Sequence, residues 1–194
     1  MLLIPGPVGH LQAQLDSASQ PGAELALLCH PHPLYGGSMH DAVLSTLSDV
    51  LLARGVDCLR FNFRGVGASE GQFDQGLGEV QDLLAVDAWA RAQHPESKIW
   101  WLGYSFGAAM VWQGLAHANA ERAVLVAPPV GRMDFSGGRG TIRVDVIAGD
   151  QDEFIDQTQL RAWDTITLHA VGGADHFFSG AHTQLSETLG SLLK

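Results

Sequence analysis

Two cysteines, Cys29 and Cys58, are all that this 194-residue chain offers to disulfide chemistry. That excludes a disulfide-stapled secreted scaffold. Both lie in apolar runs (LALLCH and VDCLRF), where free, buried thiols are expected. Basic side chains are also scarce: 11 Lys plus Arg stand against 21 Asp plus Glu, a formal net charge of −10. No basic cluster offsets that charge, so neither nucleic acid nor an anionic membrane is an expected partner. No apolar run reaches the roughly 20 residues that span a bilayer. The first ten residues, MLLIPGPVGH, carry no basic segment and are interrupted by Pro5 and Pro7. The expectation is a soluble cytoplasmic protein.

Apolar residues and glycine are plentiful. Hydrophobic residues make up 46% of the chain and charged residues only 16%, enough to fill one core and too little charge for disorder. The length suits a single domain over 1–194. The 23 glycines fall mostly in short clusters between apolar runs, the pattern of tight turns joining regular elements. A hairpin is expected over 2–16, turning near 6–9. Buried strands are expected at 24–30, 56–63, 98–102, 123–126, 142–148 and 166–170. Helices are expected at 41–54, 79–94, 105–118, 156–163 and 180–193, with Gly55 and Pro95 closing the first two. Buried strands alternating with helices imply a mainly parallel sheet with helices on both faces, its function at the carboxyl ends of the strands.

One strand-to-helix junction, Gly103-Tyr104-Ser105-Phe106-Gly107, matches G-x-S-x-G. The turn is so sharp that a side chain two residues either way would strike the helix or a neighbouring strand. It also puts the Ser105 hydroxyl at a helix N-terminus, where free amides favour negative charge. The bland alternative is a glycine-bracketed turn with Ser105 as helix N-cap.

A nucleophilic serine needs a histidine base, and the histidine needs a carboxylate to fix its tautomer. In the fold that carries this turn the chain order is Ser, acid, His. His117 is too far down the helix that begins at Ser105. His169 falls within a strand and His182 within the last helix. His176, in the glycine-bearing loop VGGADHFF, remains. For the acid, Asp150 and Asp152 compete in GDQDEF, with Glu153 third. Asp152 lies deeper in the loop and can reach His176, whereas Asp150 suits a turn that binds backbone amides.

A tetrahedral intermediate needs two backbone donors. One is the amide of Phe106. The other should come from the loop HPHPLYGG; Pro31 and Pro33 have no N–H, which favours His32 over Leu34 or a later residue. His30 and His32 could instead be a metal pair, but no cysteine or carboxylate cluster completes a zinc site. The segment Gly65–Gly71 invites a dinucleotide reading and fails it: the third glycine is one place late and no helix opens there. It reads as a structural loop at the site's edge, with Arg64 tethered to Glu79 or Asp82.

Five segments, HPHPLYGGSMHD, FNFRGVGASEGQFDQGLGE, GYSFG, GDQDEF and GADHFF, together resemble the small, lid-less α/β hydrolases near the dienelactone-hydrolase and acyl-peptidase-like branches. The resemblance implies the α/β-hydrolase fold without a lid domain. It also implies Ser105, Asp152 and His176 as nucleophile, acid and base, hydrolysis of carboxylic esters or thioesters, and no cofactor. Dienelactone hydrolases use Cys where this chain has Ser105, which argues against that activity.

The connection between the strands at 123–126 and 142–148 has about 15 residues, too few for a lid. A shallow, open site with little apolar wall is therefore expected, with a preference for short acyl groups. Leu34, Tyr35, Phe106 and Phe177 are candidate walls. Activity should rise as His176 loses its proton, near the reference value of about 6.5. The competing readings are a peptidase or amidase on the same three residues, a non-catalytic binding or scaffold protein, and a nucleotide-dependent oxidoreductase.

Overall fold

Apolar side chains on both faces of a strand demand cover on both sides, and that requirement sets the architecture. The computed structural model describes residues 1–118, 120–136 and 142–193. Among the described residues its sheet has eight strands: β1 (Leu2–Gly6), β2 (Gly9–Asp16), β3 (Glu24–Cys29), β4 (Asp57–Phe61), β5 (Lys98–Tyr104), β6 (Arg122–Val126), β7 (Val144–Gly149) and β8 (Thr167–Val171). They run in the order β1-β2-β4-β3-β5-β6-β7-β8. The hairpin β1–β2 is antiparallel and joins β4 antiparallel; every other pairing is parallel.

The helices are α1 (Ala42–Ala53), α2 (Leu77–Gln93), α3 (Phe106–Gly114), the short α4 (Gln157–Arg161) and α5 (His182–Leu192). α1 and α5 pack together against β3, β4, β7 and β8, while α2 and α3 pair and cover β1, β3, β5 and β6. Asp41 caps α1 by accepting the amides of Val43 and Leu44. Gly55 ends it at φ 82°, with the Val56 amide reaching back to Leu51.

The expected elements are all present, with shifted ends. α2 starts two residues early because the buried Glu79 carboxylate accepts the amides of Asp74 and Gly76 and caps the helix from within. α3 stops at Gly114, where Trp101 and Leu83 approach too closely for a larger residue, and the chain goes on in turns. Cys29 and Cys58 are free and buried on adjacent strands. Cys58 pairs with Ala26, which leaves Cys29 about 10 Å further along β3, beyond disulfide reach.

Arg64 is tethered to Asp82, not Glu79: its Nε and Nη2 form a buried fork with both carboxylate oxygens, at 2.9 and 2.7 Å, and its amide joins them. The glycine loop after it does not edge the site as expected. Ser69 and Glu70 bond to Gln12 and His10 of β2, so this loop fastens the hairpin to the sheet. The site's edge is supplied a few residues later, by Phe73 and Gln75. Among the described residues no helix is long and apolar enough to cross a membrane.

Candidate active site

β5 ends at Tyr104 and α3 begins at Phe106, so Ser105 makes the whole turn alone. It does so at φ 54°, ψ −116°, a left-handed conformation that a non-glycine residue adopts only under constraint. The flanking glycines are steric necessities. A Cβ on Gly103 would strike the backbone of Gly107, and one on Gly107 would strike the carbonyl of Cys29.

The two loops above β7 and β8 complete the arrangement. Ser105 Oγ lies 2.9 Å from His176 Nε2, and His176 Nδ1 lies 2.8 Å from Asp152 Oδ2. Asp152 and His176 are 3% and 5% exposed. The Asp152 carboxylate accepts a hydrogen bond from Nδ1–H and holds the proton on that nitrogen, so Nε2 presents its lone pair to the serine hydroxyl. The second carboxylate oxygen accepts the Phe154 amide at 2.8 Å, which fixes the acid in turn. Asp150 turns to its own loop contact, accepting the Gly173 amide at 2.7 Å.

Three further bonds hold the loop that carries the histidine. Asp175 accepts the amides of Phe177 and Ser179, and the Tyr104 hydroxyl donates to the carbonyl of His176 at 3.1 Å. Burial, with Asp41, Asp152 and Asp175 nearby, raises the Tyr104 pKa, so that donor keeps its proton. The other three candidate bases lie elsewhere. His169 binds Asp145 in the sheet, His182 binds Thr46 on α1, and His117 lies in the turn after α3.

The amides of Phe106 and His32 both border the cleft, and among the described residues neither has an acceptor. His32 is flanked by prolines, and its carbonyl ties down the amides of Tyr35 and Gly37. Its ring accepts the Leu34 amide, and burial lowers its pKa, so it is neutral at physiological pH. His30 is engaged through both ring nitrogens: Nδ1 donates to the Pro31 carbonyl and Nε2 accepts the Phe63 amide. Burial lowers its pKa to about 4. It is a strut beneath the loop with no lone pair left for a metal. Among the described residues no group of three His, Cys, Asp or Glu side chains could hold a metal ion.

The cleft above Ser105 is open and measures about 750 Å³. Tyr35, Phe106 and Phe177 line it as expected; Leu34 does not. Pro33–Tyr35 is a single 3-10 turn, which rotates successive side chains by roughly 120°, so Leu34 and Tyr35 cannot face the same way. Leu34 points to solvent, 68% exposed. Several walls escaped the sequence, among them Phe73, Arg132, Met133 and Phe154. Phe73, Met133 and Phe154 give the cleft more apolar wall than a lid-less site was expected to have. Phe154 stacks on the His176 ring at 4.5 Å. Its place two residues after Asp152 was the one available signal.

The arrangement fits what comparison with known proteins shows. Residues 2–166 match the X-Pro dipeptidyl-peptidase (S15 family). The chain belongs to the S15 family. An uncharacterized protein of Rickettsia prowazekii is 32% identical over 97% of this chain and 86% of its own. An alpha-beta serine hydrolase homologue from Coxiella burnetii superposes with a TM-score of 0.94 at 35% identity, covering 100% of this chain and 96% of that one. A Xanthomonas campestris member of the α/β serine hydrolases without a lid gives 0.92 at 36% identity, covering 98% and 91%. This S15 chain is thus a serine hydrolase of the lid-less α/β type.

Proposed function

We propose that the chain hydrolyses small carboxylic esters, thioesters included, through an acyl intermediate on Ser105, and prefers short acyl groups. The supporting observation is the hydrogen-bonded line from Ser105 through His176 to Asp152, opening on a cleft with two free amides. His176 Nε2 takes the hydroxyl proton as Oγ attacks the carbonyl carbon. The oxygen gains negative charge between the amides of Phe106 and His32. His176 then gives its proton to the leaving oxygen or sulfur, and the C–O or C–S bond breaks. Water repeats the sequence, releasing the acid and restoring Ser105. No step calls for a metal or cofactor.

The acyl preference rests on the wall beside the oxyanion amides. His32, Phe73 and Phe106 pack ring on ring, with centroids 5.0, 5.0 and 5.8 Å apart. On this reading that aromatic wall limits the acyl length. Family membership favours a second reading on the same residues, cleavage of a peptide bond after proline.

Fluorophosphonate labelling with peptide mapping tests the core of the proposal. Ser105 should carry the label in the wild type, and Ser105→Ala should carry none; an unlabelled, folded wild type would refute it. Then kcat/KM for 4-nitrophenyl acetate, butyrate and octanoate, beside a glycyl-proline 4-nitroanilide, decides the substrate. Faster cleavage of octanoate would overturn the acyl preference, and faster cleavage of the anilide would install the peptidase. A chelator should change none of these rates.

A further inference from the structure

Arg132 is the only arginine or lysine among the described residues that line the cleft. Its surroundings differ from those of the paired arginines. Arg60, Arg64, Arg91, Arg122 and Arg143 each have a carboxylate partner. Arg132 has none within ion-pair distance among the described residues; Nη2 donates instead to the backbone carbonyl of Glu153, at 3.0 Å. Its guanidinium lies over the Phe154 ring, 5.1 Å from the centroid, and the same ring packs on His176 at 4.5 Å. One aromatic ring therefore separates an unpaired cation from the imidazole. The other charged residue of the cleft outside the Ser105 line, Asp41, is committed to capping α1.

A cation held this way has a direction. The carbonyl and the ring fix the planar group, and its remaining N–H donors have no acceptor among the described residues. His176 must hand its proton to the leaving atom, so the leaving half of a substrate passes His176. The guanidinium stands one ring further out on that side. In a chain of net charge −10 it also makes a local positive spot at the site's mouth.

We propose that Arg132 is a specificity residue that anchors an anionic group, a carboxylate, on the leaving half of the substrate. This rests on the reading of Ser105 as the acylated nucleophile. The substrates it favours are esters whose alcohol or thiol portion is an acid.

The test pairs 4-carboxyphenyl acetate with its neutral analogue, 4-carbamoylphenyl acetate, on the wild type, Arg132→Gln and Arg132→Lys. Comparing each variant with the wild type cancels the intrinsic reactivity of the two esters. Arg132→Gln should lower kcat/KM about tenfold for the carboxylate ester, mainly through KM, and less than twofold for the neutral one. Arg132→Lys should keep most of the difference. Equal losses on both esters would make Arg132 a mere prop for Phe154 and overturn the inference, as would no loss on either. Protection of Ser105 from the fluorophosphonate by 4-hydroxybenzoate, against 4-hydroxybenzamide, gives the same comparison without turnover. A wild type that never labels sinks the nucleophile reading. One that labels but treats both ligands alike in all three proteins sinks only the role of Arg132.

Discussion

Two aspartate–histidine pairs stand on the same two strands, and only one of them meets a serine. Asp145 and His169 lie within β7 and β8, Nε2 to Oδ1, 3.0 Å apart. Asp152 and His176 lie in the loops above, Nδ1 to Oδ2, 2.8 Å apart. Each pair is separated by 24 residues, and each acid is deeply buried. The difference is in the company the acid keeps. Asp145 also binds Arg122 at 2.8 Å and Arg143 at 3.2 Å. Burial raises its pKa, but Arg122, His169 and Arg143 together outweigh that and hold it below the usual carboxylate range. Its charge is neutralised within the fold. Among the described residues Asp152 has no arginine or lysine partner, only His176 and the Phe154 amide, so its charge acts on one imidazole. A pair becomes useful for chemistry when its acid serves a single partner and its histidine stands on a loop that can face a nucleophile.

The sharpest way to break this contrast is to remove each carboxylate. Asp152→Asn offers Nδ1 an amide N–H in place of an acceptor and favours the wrong tautomer. Ester kcat should fall by about 10⁴, with folding retained. Asp150→Asn, one turn away, should leave kcat unchanged. Asp145→Asn should do the reverse of Asp152→Asn. It strands two arginines and costs about 3 kcal/mol in urea unfolding, yet the fluorophosphonate reaction rate per folded molecule should hold. If Asp145→Asn slowed labelling as Asp152→Asn does, the two pairs would not be separable, and the assignment of the acid would fail.

That one pair could be told from the other in the sequence has a physical basis. His169 falls in an apolar run of strand period and His176 among glycines, so the strand–loop boundary alone separated them. Asp150 and Asp152 were separable because the residue next to a strand end meets its own turn first. The sheet, its helices and the Ser105 turn were legible because period and sterics are local. The cleft walls were not. Arg132 meets Phe154 from a distant connection with no period at all, and such contacts leave no mark on either segment. Leu34 failed for a related reason: whether consecutive residues share a face depends on a single 3-10 turn that HPHPLYGG does not announce.

A third histidine extends the comparison to one with no acid. His30 is fully buried, donates to Pro31 and accepts from Phe63, and burial lowers its pKa from 6.5 to about 4. As pH falls below about 6.5 the unfolded chain takes up a proton at this position and the folded chain does not. Its contribution to stability is present in full above that pH and is lost on the way down to about 4, roughly 3 kcal/mol in all. His30→Gln cannot titrate. Its stability at neutral pH should be lower for want of the two bonds, but the wild-type minus variant difference should shrink as pH falls from 6.5 to 4. A difference that stays constant over that range would mean His30 is already protonated in the fold, contrary to its acceptor bond from Phe63.

The smallest effect belongs to Tyr104, which touches the histidine of the Ser105 line through its backbone and its ring. Its hydroxyl donates to the His176 carbonyl and its ring lies 5.7 Å from the imidazole. Tyr104→Phe keeps the ring and removes about 1 kcal/mol of hydrogen bonding. The loop above β8 then loses one of its fixings, and kcat should drop about threefold with KM little changed. A purely structural loss would lower stability and leave kcat per folded molecule intact, so the two measurements together separate positioning from packing. The pH–rate profile gives the finer check. Because burial and the carboxylates of Asp41, Asp152 and Asp175 push the phenol's pKa upward, the hydroxyl stays protonated across the working range. The profiles of wild type and Tyr104→Phe from pH 5 to 10 should therefore differ in height and not in shape. An alkaline limb present in the wild type and absent from the variant would show the phenol ionising beside His176, and would make Tyr104 part of the proton chemistry.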